Sequence, residues 1–150
     1  MIGTVEGATF GPAGYVKSLI RGTAGQANHL NQTAAYKEIL KRAGSAVELD
    51  GNAFIAGTEH NQFHVIIEKY WSQFRGGGAN FGKPPSNQGY LQALREALSS
   101  VKVAGTGAPK YNQQQVDAWV KFAEEEQRGY GYFDGPGGQA PKIPGPMNLK

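Results

Sequence analysis

The chain contains three histidines and no cysteine, so few side chains are candidates for metal binding or acid–base chemistry. His60 and His64 are four residues apart in a segment with helical apolar spacing. At about 100° per residue, their side chains stack on one face of such a helix, one turn apart. That spacing suits two ligands of one metal ion, and the alternative is a pair of helix-edge histidines without function. The third histidine, His29, lies well upstream of the pair.

The elements that must position these side chains are mostly helices. The strongest helical pattern covers residues 60–74, where apolar residues recur every three or four positions and three glycines at 76–78 end the helix. Apolar spacing also predicts helices over 33–43, 88–99 and 113–128. Asn112 and Gln115 form a capping pair for the last helix.

A β-hairpin is predicted just before the histidine helix. Its arms, 46–49 and 52–55, flank Asp50-Gly51, a pair that accepts the positive φ angles of a two-residue turn. Asn52 begins the second arm. Together the patterns predict an α+β fold that is mainly helical.

Composition limits the class of protein. The chain has 150 residues, of which 39% are hydrophobic, which is enough for one modest core. We expect a single domain over 1–150, with its core at about 22–128 and a Gly/Pro-rich tail over 133–150 that is extended or disordered. Neither a membrane span nor a signal peptide is expected. The sequence lacks a disulfide framework, a Walker loop, a G-x-S-x-G elbow and a kinase signature.

The order of the polar motifs is distinctive. A lone histidine comes first, then a hairpin with asparagine, then a helix that opens with His-x-x-x-His. The motifs are Gln26-Ala27-Asn28-His29-Leu30, Leu49-Asp50-Gly51-Asn52-Ala53-Phe54 and Thr58-Glu59-His60-Asn61-Gln62-Phe63-His64. This layout resembles the ββα-metal, or HNH, endonucleases, particularly the Ala-His-His branch found at the C-termini of bacterial Rhs and related polymorphic toxins. The resemblance covers about 22–74, and the segments that begin at Tyr70 and Tyr90 also look like such toxin domains.

The resemblance implies a ββα-metal core with a short hairpin and additional C-terminal helices, and it implies a metal-dependent DNA endonuclease. In that family pattern His29 would be the general base, and His60 and His64 would be metal ligands. A neutral imidazole positioned away from the metal can accept a proton from the attacking water. A divalent cation would neutralise the charge that grows on the phosphate oxygens. Asn52 would either orient the base through its amide or serve as an oxygen ligand.

The chain departs from the family pattern at one position. The family has a His-His doublet whose first member is a metal ligand, whereas this chain has Asn28-His29. Asn28 can offer a carbonyl oxygen to Mg²⁺ or Mn²⁺, with Zn²⁺ and Ni²⁺ as the other candidate ions. Alternatively, Asn28 is an inactivating substitution, since an active toxin nuclease would kill its host.

Charge gives a weaker indication of the partner. The net charge of +3 does not identify a nucleic-acid-binding protein. Basic residues nevertheless exceed acidic ones by four within 65–110, where six face two. From this segment the predicted phosphate contacts are Lys69, Arg75, Lys83 and Arg95, with ordinary surface charge as the alternative interpretation.

The resemblance also implies a biological setting. It predicts a secreted effector domain that belongs to a larger Rhs-type carrier polypeptide and reaches the target-cell cytoplasm. A cognate immunity protein would neutralise it, and an acidic surface on that partner would complement the basic segment. Two alternatives come from other classes: an enzyme that attacks NAD or transfers ADP-ribose without a metal, and a non-catalytic module that binds nucleic acid or protein.

Overall fold

A computed structural model describes residues 3–5, 8–23, 25–36, 51–56, 59–103 and 105–146. These residues form five α-helices and one four-stranded antiparallel sheet, so the α+β, mainly helical prediction is confirmed. None of the helices in these ranges is long and apolar enough to cross a membrane. In chain order the elements are β1 (Gly3–Val5), β2 (Ala8–Gly11), α1 (Ala13–Leu19), β3 (Gly25–His29), α2 (Thr33–Tyr36), β4 (Asn52–Ala56), α3 (Glu59–Ser72), α4 (Asn87–Ser100) and α5 (Gln113–Gly129).

The three long helices follow the predicted patterns closely. The helix predicted over 60–74 is α3, and those predicted over 88–99 and 113–128 are α4 and α5. The capping pair at α5 is confirmed, because Asn112 Oδ1 accepts from Gln115 N and Gln115 Oε1 accepts from Asn112 N, both at 2.9 Å. The helix predicted over 33–43 is confirmed for α2, and 37–43 lies outside the described residues.

The second arm of the predicted hairpin forms as β4, but β4 lies inside the sheet, where Asn52 and Ala53 pair with β2 and β3 instead of the first arm. The strand order is β1-β2-β4-β3, with His29 opposite Asn52 on one side of β4 and Gly11 opposite Asn52 on the other. Asn52 and Ala53 of β4 are therefore paired with β3 on one side and with β2 on the other. This arrangement satisfies the buried backbone groups on both sides of the strand, whereas a two-stranded hairpin would satisfy them on one side only. The predicted first arm, 46–49, lies outside the described residues.

Aromatic residues dominate the core where α3, α4 and the sheet meet. Trp71 is fully buried on α3 and stacks on Tyr90 of α4, with the ring centroids 5.6 Å apart. Trp71 Nε1 donates to Gln32 Oε1 at 2.6 Å, so the polar edge of the ring is also satisfied. Trp119 of α5 is fully buried as well. Both tryptophans are core residues, as their place on the apolar stripes indicates.

The described part of the C-terminal tail, 133–146, turns at 134–137 and then follows the domain without helix or strand over 140–146. Lys142 N donates to Ala35 O at 2.8 Å, and Arg75 donates to Pro144 O at 2.8 Å. Pro141 and Pro144 are buried, so the tail contributes to packing against α2 and the end of α3. The described part of the expected Gly/Pro-rich tail contains a turn at 134–137 and no helix, and 147–150 lie outside the described residues.

Asp134 of the tail caps α4, and its loss is expected to destabilise the domain. Its carboxylate accepts from Asn87 N at 2.8 Å and from Gln88 N at 3.0 Å, two of the unpaired donors of the first turn. We expect Asp134→Ala to lower the free energy of unfolding by about 1 kcal/mol, the usual cost of a lost cap. Urea denaturation would measure it, with Glu125→Ala on the exposed face of α5 as the control. Equal midpoints for the two variants would contradict the role.

Candidate active site

The three histidines meet in one cleft. The cleft has a volume of about 300 Å³ and lies between β3, α2 and the start of α3. His29 precedes His60 by 31 residues in the chain, so folding alone brings the two together. The lining residues are Ala27, Asn28, His29, Gln32, Thr33, Ala34, His60 and His64.

His60 and His64 present their rings to each other from the first two turns of α3. Their Nε2 atoms are 2.9 Å apart, and Phe63 between them is buried and anchors the helix in the core. Two nitrogens that bind one cation at about 2.0–2.1 Å must themselves lie about 3 Å apart. The Nδ1 atoms of both rings are buried without a hydrogen-bond partner among the described residues. The spacing of the Nε2 atoms matches a shared metal ion and equally a hydrogen bond between the two rings, while the Nδ1 atoms lack the supporting partners that metal-bound imidazoles use.

Burial keeps this pair neutral. It lowers the pKa of His60 below its ordinary value of 6.5, and the nearby His29 adds to the effect. Burial lowers the pKa of His64 to about 4, with smaller contributions from His60 and His29. At neutral pH both imidazoles thus carry the lone pairs that metal binding requires.

The lowered pKa of His64 predicts a pH-dependent stability. Because its folded-state pKa of about 4 lies below the ordinary 6.5, the unfolded chain binds this proton more readily. The free energy of unfolding should therefore increase as the pH is raised from about 4 to 6.5. The increase should be about 1–2 kcal/mol after allowance for the solvent that reaches the half-buried His64 ring. Urea denaturation at pH 4.5 and 7, in EDTA, would measure the difference. His64→Gln should show a smaller difference, and an unchanged one would contradict this assignment.

His29 ends β3 and faces the cleft beside α2. Its Nδ1 lies 2.9 Å from Thr33 Oγ1, at the first residue of α2. The residues between them are held from several sides, since Tyr90 Oη donates to Leu30 O at 2.5 Å and accepts from Gln32 N at 3.0 Å. The ring of His29 therefore sits on a rigid support.

Asn52 is fully buried and lies opposite His29 in the strand register. With the amide oriented so that each atom meets a complementary group, Nδ2 donates to Asn28 O at 3.1 Å and Oδ1 accepts from Ala13 N at 3.2 Å. Both ends of the amide are thus engaged with backbone. These contacts are those of a residue that positions the end of β3, rather than those of a cation ligand.

Asn28, like His60 and His64, has a buried polar atom without a partner. Its side chain is 1% exposed and lines the cleft, and its Nδ2 has no hydrogen-bond partner within the described part of the chain. A buried amide nitrogen without a partner costs free energy, so it would be satisfied by a hydrogen-bond acceptor in the cleft, whereas a cation would bind the amide oxygen. The described residues contain no cluster of three His, Cys, Asp or Glu that could hold a metal ion. A third protein ligand in the cleft would therefore be an amide oxygen such as that of Asn28.

The four predicted phosphate contacts do not line this cleft. Lys69 follows His60 by nine residues, which is two and a half turns and places it on the opposite face of α3. Arg75 is occupied inside the fold, where it pairs with Glu68 and donates to Pro144 O, and Arg95 pairs with the exposed Asp117. Lys83 is exposed in the segment after α3. The structure therefore separates these residues from the histidines, and it removes Arg75 from the accessible cations.

Several positioning residues were not found from the sequence. Gln32, Thr33 and Tyr90 hold the segment that follows His29, and the only local signal was a polar run ahead of the helix predicted from residue 33. No protein-family model, curated protein or solved structure matches the chain. The cleft itself carries the functional features, because two neutral imidazoles of one helix line it together with a third imidazole from a strand.

Proposed function

We propose that the chain is a metal-dependent endonuclease that hydrolyses phosphodiester bonds of DNA in the cleft of His29, His60 and His64. The observation that carries the proposal is the meeting of a His60–His64 pair, with Nε2 atoms 2.9 Å apart, with His29 from β3. The antiparallel pair β3–β4 followed by α3 supports a ββα-metal core, with β3 supplying His29, β4 Asn52 and α3 the two ligands.

The metal is assigned to the helix pair. A divalent cation held by His60 and His64, with the Asn28 amide oxygen as a third donor, would neutralise charge on the phosphate oxygens as the bond to the leaving group breaks. No carboxylate lines the cleft in the described residues, and Glu59 beside the pair is bound to Lys110 Nζ at 2.6 Å. Imidazole donors favour Zn²⁺ and Ni²⁺ over Mg²⁺. We therefore expect Mg²⁺ to be the weakest of the candidate ions.

His29 is assigned the proton transfer. In the tautomer in which His29 Nδ1–H donates to Thr33 Oγ1, 2.9 Å away, Nε2 carries the lone pair that would accept the proton of the attacking water. Asn52 holds the backbone of Asn28 and thereby fixes the end of the strand that carries the base. These residues keep the imidazole in one place without direct contact with the substrate.

The toxin setting belongs to the same proposal. The likeness to C-terminal domains of Rhs-type polypeptides supports an effector domain that acts in the cytoplasm of a target bacterium. It also supports a carrier polypeptide and a cognate immunity protein as partners. Both follow from the sequence resemblance, and the cleft geometry bears only on the chemistry.

Plasmid cleavage tests the proposal. The chain and its Asn28→His variant would be incubated with supercoiled DNA and Mg²⁺, Mn²⁺, Zn²⁺, Ni²⁺ or EDTA, with a His60→Ala/His64→Ala double variant as the control for contaminating nuclease. We expect metal-dependent nicking by Asn28→His, and nicking by the original chain as well if Asn28 is a working ligand. Silence of both proteins with every ion would overturn the proposal, and tight DNA binding without cleavage would favour the binding-module alternative.

A further inference from the structure

Lys17 and Arg21 are the charged side chains of the described N-terminal residues. Residues 8–23, 25–36 and 51–56 contain no other Lys or Arg and no Asp or Glu, whereas Glu6, Glu38, Glu48 and Asp50 lie outside the described residues. The described ranges include β2, α1, β3 and β4, and the strands beside the cleft are among them. Charge counting along the sequence had pointed instead to 65–110, where Arg75, Arg95 and Lys110 are paired with Glu68, Asp117 and Glu59.

Helix α1 presents these cations to solvent. Val16 and Ile20 are buried where α1 packs on the sheet, whereas Lys17 and Arg21 are exposed on its other side and just beyond its end. Neither cation has an ion-pair partner among the described residues. Leu19, which is 50% exposed, lies between them. Both cations are therefore available to an external anion.

The exposed side of α1 is structurally joined to the cleft. The backbone N–H of Ala13, the first residue of α1, donates to Asn52 Oδ1. Asn52 Nδ2 in turn donates to the backbone oxygen of Asn28, a residue that lines the cleft. Helix α1 also packs directly on β3, the strand that ends in His29. Helix α1 is therefore a direct neighbour of the strand that brings His29 to the cleft.

We propose that Lys17 and Arg21 on α1 bind the phosphate backbone of the DNA whose reacting bond lies in the histidine cleft. This assignment rests on the proposed function and names the surface that holds the substrate. Lys and Arg contacts to phosphates supply most of the affinity of a protein that reads no sequence, and Lys17 and Arg21 are exposed and have no ion-pair partner among the described residues. By contrast, the larger groove between α3 and α4 is lined by both Lys69 and Glu96, so it presents no surplus of positive charge.

Binding without cleavage tests the assignment. Fluorescence anisotropy with a labelled DNA duplex in EDTA, over a series of salt concentrations, would compare the original chain with Lys17→Gln, Arg21→Gln and the double variant. The matched control is Lys121→Gln, an exposed lysine on α5. Each α1 variant should lower affinity by roughly 5–10-fold near 0.1 M salt and reduce the slope of log K against log salt by about 1. The control should change neither, and urea midpoints would show that all variants fold.

The outcomes separate this assignment from the nuclease proposal. Unchanged affinity and salt slope in the double variant would overturn the α1 assignment even if the chain cleaves DNA. A loss seen instead in a Lys69→Gln/Lys83→Gln double variant would move the binding surface to the segment after α3 and overturn it as well. Loss of binding in the α1 variants would support the assignment even if no metal ion produces cleavage. A chain that does not bind the duplex at low salt would overturn it outright.

Discussion

Replacing His29 with alanine is expected to lower the rate of DNA cleavage by about 10²–10⁴-fold, the usual contribution of a positioned general base. His29 faces the cleft, and the Thr33 hydroxyl 2.9 Å from its Nδ1 orients the ring. The two proposed imidazole ligands lie on α3, so Ni²⁺ affinity should stay within a few-fold of the original. Single-turnover cleavage of a labelled oligonucleotide at saturating metal would measure the rate, and calorimetric titration would measure the affinity.

Chemical rescue distinguishes proton transfer from a structural defect. Added imidazole should restore part of the activity of His29→Ala, because a small base can enter the space that the side chain leaves. Thr33→Val, which keeps the shape but removes the hydroxyl, should lose less activity than His29→Ala, and Thr33→Ser should recover it. A His29→Ala protein that cleaves at the original rate would remove His29 from the reaction.

Replacing His64 with alanine is expected to weaken Ni²⁺ or Zn²⁺ binding by at least about 100-fold. Mutation of a residue that only supports a metal ligand lowers affinity by about 10–100-fold, and loss of the ligand itself should cost more. The proposed shared ion rests on the 2.9 Å separation of the Nε2 atoms of His60 and His64. His60→Ala should therefore have a similar effect, and the double variant should lose little more than either single variant. Since burial lowers the pKa of His64 to about 4, binding to the original chain should persist at pH 6.

Calorimetric titration of the metal into each variant checks this result, with His29→Ala as the matched control that removes an imidazole from the same cleft. Independent and additive losses in the two single variants would indicate two separate sites. Equal affinity of His64→Ala and the original chain would rule out a shared ion on this helix, and cleavage would then need another source of positive charge.

Local patterns in the sequence determined the helices and half of the site. Apolar residues recur every three or four positions in α3, α4 and α5. Each helix, and the shared face of His60 and His64, could therefore be predicted without knowledge of the rest of the fold. The capping pair at Asn112 and Gln115 is equally local, and it formed as predicted. Helix α1, strand β3 and the pairing of β4 were missed or wrong, because these short, glycine-rich segments have little periodicity and their pairing depends on distant partners.

The tertiary structure alone decided which residues share the cleft and which cations remain available. The Asp50-Gly51 signal reports only that the chain turns, whereas the register that sets His29 opposite Asn52 comes from the burial and backbone pairing of β4 between β2 and β3. In the same way, a charge count along the chain cannot tell that Arg75 is bound by Glu68 while Lys17 is exposed. Helix periodicity is encoded within a few residues, but strand pairing and ion pairing depend on side chains that meet only after the chain has folded.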